Sequence, residues 1–392
     1  MARLMVIDVE EQTRVPYLRG ILTRSLQNAG LSFEDSYQLA SAVRDELGDA
    51  VEVTNVELGK RVQTHLETRG QGFAERYARR ADPAEPISVR TADGDDHPYS
   101  RGRQRLDLMS SGLSSDQAAV VVSDVYRVLT ERDETQVEAD WLGALTRQTI
   151  ERGLGAEAAD RYQVWQRYSA SDRPLLVLVG GTVGTGKSTV STALAQRLGI
   201  VRIQSTDMLR EVMRTLIPEA LLPALFQSSY TAWKALPAPE QHEQPTDLLL
   251  AEGYLSQAEP VSLACDAVVK RALKERVSLI LEGVHVHPGW IARLSRETDA
   301  IIVPVMLAVL SRKQLKKRIK GRGRKTPDRR AARYVANLDT IWQLQSFLLS
   351  EADEAGVPIV FNEDLESTVH QSMGVVLDSL SRHFSSVPEA TA

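Results

Sequence analysis

The sequence predicts an α/β protein: a doubly wound domain with a five-stranded parallel sheet over residues 171–392, preceded by two mainly helical segments over 1–84 and 85–170. Three observations lead there. Beyond Pro174, five short apolar runs alternate with stretches of helical length. A glycine-rich loop follows the first of those runs. The N-terminal part of the chain matches itself when shifted by 82 residues.

Composition narrows the function classes. A chain of 392 residues suggests two to three domains. Its 47 basic and 52 acidic residues give a net charge of −5, which argues against a generally basic nucleic-acid binder and leaves only local basic patches to weigh. Cys265 is the only cysteine, so no intramolecular disulfide and no cysteine-cluster zinc site can form. Asp8, Glu10 and Glu11 interrupt the place where a secretory signal would be apolar, and no later run approaches the roughly 18 apolar residues of a membrane span. The expectation is a cytoplasmic protein with no membrane partner.

The repeat sets the N-terminal organisation. "VPYLRGILTRSLQNAGLSFEDSYQLASAVRDEL" aligns without a gap on "HPYSRGRQRLDLMSSGLSSDQAAVVVSDVYRVL", so Pro16, Tyr17, Arg19, Gly20 and Leu26 meet Pro98, Tyr99, Arg101, Gly102 and Leu108. Each copy starts with a β-like run, "RLMVIDV" or "ISVRTADG", continues through Pro-Tyr, and then shows two helical patterns separated by Gly-Leu-Ser. Ser32 and Ser114 are the expected N-caps of the second helix in each copy, since a serine hydroxyl accepts from the unpaired amides of the first turn. The copies close on the basic, tyrosine-containing stretches "FAERYARR" and "ADRYQVWQRY", with "ADPAEPIS" as a linker between them.

In the C-terminal part, "PLLVLVGG", "VRIQST", "VSLILEG", "AIIVPVML" and "VPIVFN" are continuous apolar runs of the kind buried on both faces of a parallel sheet. Such a sheet binds ligands at the carboxyl ends of its strands. Directly after the first run comes G-x-x-x-x-G-K-S, spanning Gly181 to Ser188, and a helical pattern follows at once. Glycines let backbone N–H groups turn inward around phosphates, the helix N-terminus adds a positive dipole, and the lysine supplies a mobile charge. Gly181, Thr182, Gly184, Thr185, Gly186, Lys187, Ser188 and Thr189 are therefore the expected nucleotide-binding residues, with the Ser188 hydroxyl directed at Mg²⁺.

The other strand ends supply the acceptor chemistry. Asp207 follows the second run, with Arg210 and Arg214 at i+3 and i+7 on one helix face. Two readings stand: a carboxylate that orients an acceptor hydroxyl beside arginines that hold an anion, or an N-cap with a solvated face. Glu282 ends the third run, where phosphate-loop proteins carry a metal-facing carboxylate. The metal set is then Ser188, Asp207 and Glu282. His285 and His287 alternate beyond it; a metal pair lacks a third ligand, so His285 is read as a substrate contact. Between Arg312 and Arg333 stand twelve basic residues and one acidic residue, Asp328. The run lacks interleaved aromatics for base stacking and carries a Gly-Arg-Gly hinge, so a phosphate-covering lid is preferred to a nucleic-acid patch. Arg318, Arg322, Arg324 and Arg333 are its candidates for neutralising the transferring group.

These motifs together, "GGTVGTGKST", "STDMLREVMR", "SSYTAWKAL", "ILEGVHVHPG" and "ARYVANLDTIWQLQSFLLSEADEAGVPIVFN", closely resemble the 2-phosphoglycerate kinases over about residues 174–370. The resemblance implies ATP and Mg²⁺ as cofactors and a phosphorylated small-molecule acid as partner, with the γ-phosphoryl passing to the 3-hydroxyl of 2-phosphoglycerate. Lys187, Asp207, Glu282, Arg318 and Arg322 are then the candidate catalytic residues. Arg210, Arg214, Tyr230, Lys234, His285 and Arg333 are the candidate acceptor contacts, and the loop near Asn362 lies toward the base. The family is also similar in carrying an N-terminal ATP-cone-like segment of the type "PFSKGILARSL", matched by "PYLRGILTRSL" at Pro16–Leu26. Here that segment occurs twice. The second copy carries Gln104 for Leu22 and Asp107 for Ser25. The segments either sense nucleotide, with Arg14, Arg19 and Arg24 as phosphate contacts, or serve packing and homo-oligomer formation. Two other functions stay open: a nucleotide-sensing regulatory protein, and a kinase of another phosphorylated or polyol substrate.

Overall fold

The computed structural model describes residues 4–385 apart from 8, 10–13, 30, 49, 70–71, 75–76, 78–86, 92, 133–134, 172, 238–244, 299 and 323–328. It divides into two compact units. One comprises residues 1–99 with 133–138, the other residues 100–132 with 139–392.

The first unit contains two small sheets built on one plan. β1 (Met5–Ile7) pairs antiparallel with β2 (Arg14–Pro16) and parallel with β3 (Glu52–Thr54). β4 (Ser88–Arg90) pairs the same way with β5 (Asp96–Pro98) and β6 (Gln136–Glu138). Strands of three residues are too short to show a readable alternation, which is why β2, β3, β5 and β6 were not expected. α1 (Arg19–Asn28), α2 (Phe33–Glu46) and α3 (Asn55–Glu67) bury Leu22, Leu26, Leu39, Val43, Val62 and Leu66 against one another and β3. Ser32 caps α2 as expected, accepting from the Asp35 amide at 3.1 Å.

The second unit begins with α4 (Arg101–Ser110), α5 (Ser115–Glu131), α6 (Ala139–Leu154) and α7 (Ala156–Ser169). Ser114 and Gln117 form a reciprocal capping box on α5. The division between units therefore falls inside the second repeat rather than at residues 84 and 170. The reason is packing. Trp165 of α7 is 5% exposed and joins a core containing Leu175, Val177, Leu194 and Val376, and Gly112 abuts Leu377. Gln104, which replaces the buried Leu22 of the first copy, is itself buried and donates to Thr146 Oγ1 at 2.9 Å.

The rest of this unit is the expected parallel sheet. β7 (Leu175–Gly180), β8 (Ile203–Ser205), β9 (Leu279–Glu282), β10 (Ile301–Ala308) and β11 (Ile359–Phe361) are all parallel, in the order β11-β10-β7-β9-β8. Each of the five predicted apolar runs contains one strand. Along β7, Leu176 and Leu178 face a core completed by Val261, Leu281 and Leu344, while Val177 and Val179 face one completed by Leu194, Leu307 and Val376. Burial on both faces accounts for the absence of polar alternation.

The helices of the sheet are α8 (Lys187–Leu198), α9 (Thr206–Leu216), α10 (Asp247–Lys274), α11 (Pro288–Glu297), α12 (Arg312–Arg322), α13 (Arg329–Ala336), α14 (Leu338–Glu354) and α15 (Leu365–Ser385). Between α9 and α10 the "SSYTAWK" segment forms a turn and a 3₁₀ helix, Ala232–Ala235, instead of an α-helix. No helix among the described residues is long and apolar enough to cross a membrane.

Candidate active site

The phosphate loop leaves the carboxyl end of β7, and the sheet's winding direction reverses on either side of that strand. Gly181, Gly184 and Gly186 have φ of +134°, +88° and +93°, a region that side chains disfavour. Space demands glycine as well: a Cβ at Gly181 would strike the Leu307 carbonyl, and one at Gly186 the Asn362 amide. Thr185 Oγ1 donates to the Thr182 carbonyl at 2.9 Å, and Lys187 Nζ reaches the same carbonyl at 2.8 Å. Thr182 Oγ1 is buried with no hydrogen-bond partner among the described residues. A buried hydroxyl lacking a partner, beside a lysine folded over the loop, fits a cradle built for an anion.

Ser188, the second residue of α8, donates to Glu282 Oε1 at 2.9 Å across the β7–β9 pair. Glu282 is 6% exposed. This pair supplies only oxygen donors, the chemistry a hard divalent cation prefers, so Ser188 and Glu282 fit the predicted metal position. Asp207 differs. It sits in the first turn of α9, its side chain is 62% exposed, and Arg210 Nε lies 3.9 Å away. It is the solvent-accessible carboxylate of the site.

His285 is where the sequence reading needs correction. It was expected to touch the acceptor, yet it is 1% exposed and both ring nitrogens are held by protein. Thr206 Oγ1 lies 2.9 Å from Nδ1 and Gln257 Oε1 lies 3.1 Å from Nε2. Burial pushes its pKa down to about 4, with Asp207 opposing and Arg210 and Lys187 adding to the shift. His287, also lowered to about 4 by burial, accepts from the Gly289 amide as the N-cap of α11. No group of three metal-ligating side chains occurs among the described residues.

A cavity of about 300 Å³ is lined by Arg210, Arg214, Phe226, Gln227, Ser228, Arg333 and Tyr334. Arg210 Nη1 donates to the carbonyls of Leu225 at 2.6 Å and Gln227 at 3.1 Å. Arg214 stacks over Phe226 at 4.9 Å and pairs through Nη1 with Glu211 at 2.8 Å, while its Nε is buried with no hydrogen-bond partner among the described residues. Arg333 contacts Ser228 Oγ and donates to Tyr230 Oη at 3.3 Å. Tyr230 is 1% exposed, so it anchors Arg333 from beneath. Lys234 lies apart, exposed over the Trp233 ring at 5.4 Å, and is not among the lining residues. A larger cavity of about 640 Å³ runs along α10 and α11 past Leu255, Leu263 and Trp290; its mostly apolar wall does not suit a multiply charged acceptor.

The basic segment separates into distinct roles. Leu315 and Ile319 of α12 are buried, with Gly184 leaving no room for a Cβ between them and the loop. Arg318 Nη2 donates to Asn362 O at 2.6 Å, Asn362 Oδ1 at 2.9 Å and Glu363 O at 3.0 Å, and burial lowers its pKa. Asn362 in turn donates to the Thr185 carbonyl at 2.7 Å. Its 4% exposed amide is thus a clamp on the phosphate loop rather than a group facing a base. The Arg322 side chain and all of Arg324 lie outside the described residues. Sequence reasoning missed Gln257, Gln227 and the clamp role of Asn362. The signal for Gln257 is a polar residue, one of two with Ser262, on the otherwise apolar buried stripe of α10, and nothing local marks the others.

A glycine-rich loop at the switch point of a doubly wound sheet, a Ser–Glu pair of oxygen donors beside it and an arginine-lined cavity nearby are the features of a P-loop phosphotransferase. The Zeta toxin family model matches residues 159–223. The chain is 36% identical over 277 residues to a 2-phosphoglycerate kinase of Pyrococcus horikoshii, covering 70% of this chain and 88% of that one. It is 35% identical over 282 residues to that of Pyrococcus furiosus, covering 72% and 90%, and 32% identical over 284 residues to that of Methanopyrus kandleri, covering 72% and 85%. The chain belongs to the 2-phosphoglycerate kinase family and is a P-loop kinase acting on an alcohol group.

Proposed function

We propose that this kinase transfers the γ-phosphoryl group of MgATP to the 3-hydroxyl of 2-phosphoglycerate, giving 2,3-bisphosphoglycerate. The observation that carries this reading is the polar cavity lined by the three guanidinium groups of Arg210, Arg214 and Arg333. A substrate with both a carboxylate and a phosphate needs several guanidinium groups, which pair with such anions bidentately.

Gly181–Ser188 bind the nucleotide phosphates, and Lys187 exchanges its Thr182 carbonyl for a phosphate oxygen. Ser188 and Glu282 would hold Mg²⁺, which when bound would supply neutralisation of the charge on the transferring phosphoryl group. Asp207 orients the acceptor hydroxyl and takes its proton. The new bond joins that oxygen to the γ-phosphorus, and the bond that breaks is the one to the bridging oxygen, which leaves on ADP. Lys187, Asp207 and Arg210 all act electrostatically on His285, so the phosphate loop, the carboxylate and the acceptor cavity converge on one neighbourhood. For the N-terminal segments, their common strand order supports a repeated ATP-cone-like module that senses nucleotide or pairs copies of the chain.

The test is incubation of the protein with MgATP and, separately, 2-phosphoglycerate, 3-phosphoglycerate, glycerate or no acceptor, following ADP and phosphorylated product. Formation of 2,3-bisphosphoglycerate from 2-phosphoglycerate alone is expected. Equal ADP release in all four mixtures would refute the assignment.

A further inference from the structure

We infer that His285 is a positioning residue that joins the two halves of the transfer site through a directional hydrogen-bond relay, Thr206 to His285 to Gln257 to the acceptor loop. The inference rests on the proposed transfer reaction for its kinetic readout, while the relay itself stands on geometry.

The direction of the relay follows from the one member that has no choice. Gln257 is fully buried, and its Nε2 faces the carbonyl oxygens of Ala224 and, at 3.0 Å, of Gln227. Turning the amide around would set Oε1 against two acceptors, so Nε2 donates to them and Oε1 remains an acceptor. His285 Nε2, 3.1 Å from that Oε1, must then carry the proton. A neutral imidazole has one proton, which leaves Nδ1 to accept from the Thr206 hydroxyl at 2.9 Å. Every donor in the relay has an acceptor, and reversing one link would leave two buried acceptors facing each other.

The ends of the relay give it a role. Thr206 is the residue before Asp207, the carboxylate proposed to orient the hydroxyl, and it packs so tightly on Gly283 that no Cβ fits there. Glu282, of the cation pair, immediately precedes that glycine. At the other end, the Gln227 carbonyl accepts from both Gln257 and Arg210, and Gln227 and Arg210 line the acceptor cavity. One imidazole therefore fixes the start of α9 and the floor of the acceptor cavity relative to each other, without touching substrate.

Two substitutions cut the relay at different links. Asparagine places an oxygen near the Nδ1 position and keeps the Thr206 bond, while glutamine places an N–H near the Nε2 position and keeps the Gln257 bond. With MgATP and 2-phosphoglycerate, His285→Asn is expected to raise KM for the acceptor about tenfold with kcat near wild type. His285→Gln is expected to lower kcat about tenfold with KM near wild type. Losses that are the same in both variants and track their Tm would overturn the inference, because a merely structural histidine gives no such split.

The relay has a readout that needs no turnover. In ¹⁵N-histidine-labelled wild-type protein at pH 7, the His285 ring is expected as the Nε2–H tautomer. An Nδ1–H tautomer or an imidazolium would overturn the relay. Absence of wild-type turnover on 2-phosphoglycerate, with the Nε2–H tautomer present, would refute the functional reading and leave the relay standing.

Discussion

The Ser188 hydroxyl donates to the Glu282 carboxylate at 2.9 Å, joining the first residue after the phosphate-loop lysine to the end of the neighbouring strand. Removing either oxygen should disable transfer and leave the fold intact. Glu282→Gln and Ser188→Ala are each expected to lower kcat on the order of 10²–10³-fold. Both should raise the Mg²⁺ concentration needed for half-maximal rate. A rate unchanged at saturating MgATP in Glu282→Gln would remove the carboxylate from the site. Lys187→Ala, which loses the mobile charge altogether, should leave no measurable turnover.

The arginines of the acceptor cavity should separate acceptor binding from nucleotide binding. Arg214→Ala and Arg333→Ala are expected to raise KM for the acceptor at least about tenfold, the scale of a lost charge-assisted hydrogen bond, with KM for ATP unchanged. Arg333→Lys should not rescue, since an ammonium cannot span Ser228 and Tyr230 as a planar fork does. Steady-state kinetics with each substrate varied in turn decides the matter.

Gly186 answers to two constraints at once: φ of +93° and the Asn362 amide where a Cβ would go. Gly186→Ala is expected to weaken ATP binding about 5- to 150-fold, because strain of about 1–3 kcal/mol falls on the loop itself. Calorimetric titration of MgATP would show it. A variant with wild-type affinity would mean that the loop relaxes around the methyl.

Acid should destabilise the fold through the two buried histidines. Their folded pKa, about 4 for both His285 and His287, lies below the unfolded value of 6.5. Between those limits the unfolded chain binds more protons, so stability falls as pH is lowered from about 6.5 to about 4, by up to about 1.4 kcal/mol per pH unit for each histidine. His287→Asn keeps an N-cap acceptor on α11 and should flatten the pH dependence of Tm in this window. A slope equal to that of wild type would show that His287 is not neutral when folded.

Trp165 ties α7 into the core beneath the sheet. Trp165→Ala is expected to destabilise the kinase unit by about 3–5 kcal/mol. The check is urea unfolding followed through loss of nucleotide binding. A change confined to the N-terminal unit would separate α7 from the kinase core.

The sequence by itself determined what depends on local chemistry. Five apolar runs specified a sheet buried on both faces, the loop from Gly181 to Ser188 was marked by its own glycines and the helix that follows, and Ser32 and Ser114 capped their helices through amides three residues away. Tertiary structure decided everything that rests on partners distant in the chain. His285 reads from the sequence as a substrate contact because its spacing from Glu282 says nothing of Gln257, 28 residues earlier, or Thr206, 79 residues earlier. Asn362 acts on Thr185 across 177 residues, and Arg333 meets Ser228 across 105. The same holds for α4–α7, whose repeat pattern marks them as a second copy but whose packing on Leu377 and Val177 makes them part of the kinase core. A hydrogen bond between distant segments leaves no periodicity in either one, so the residue types were legible while their pairings had to await the fold.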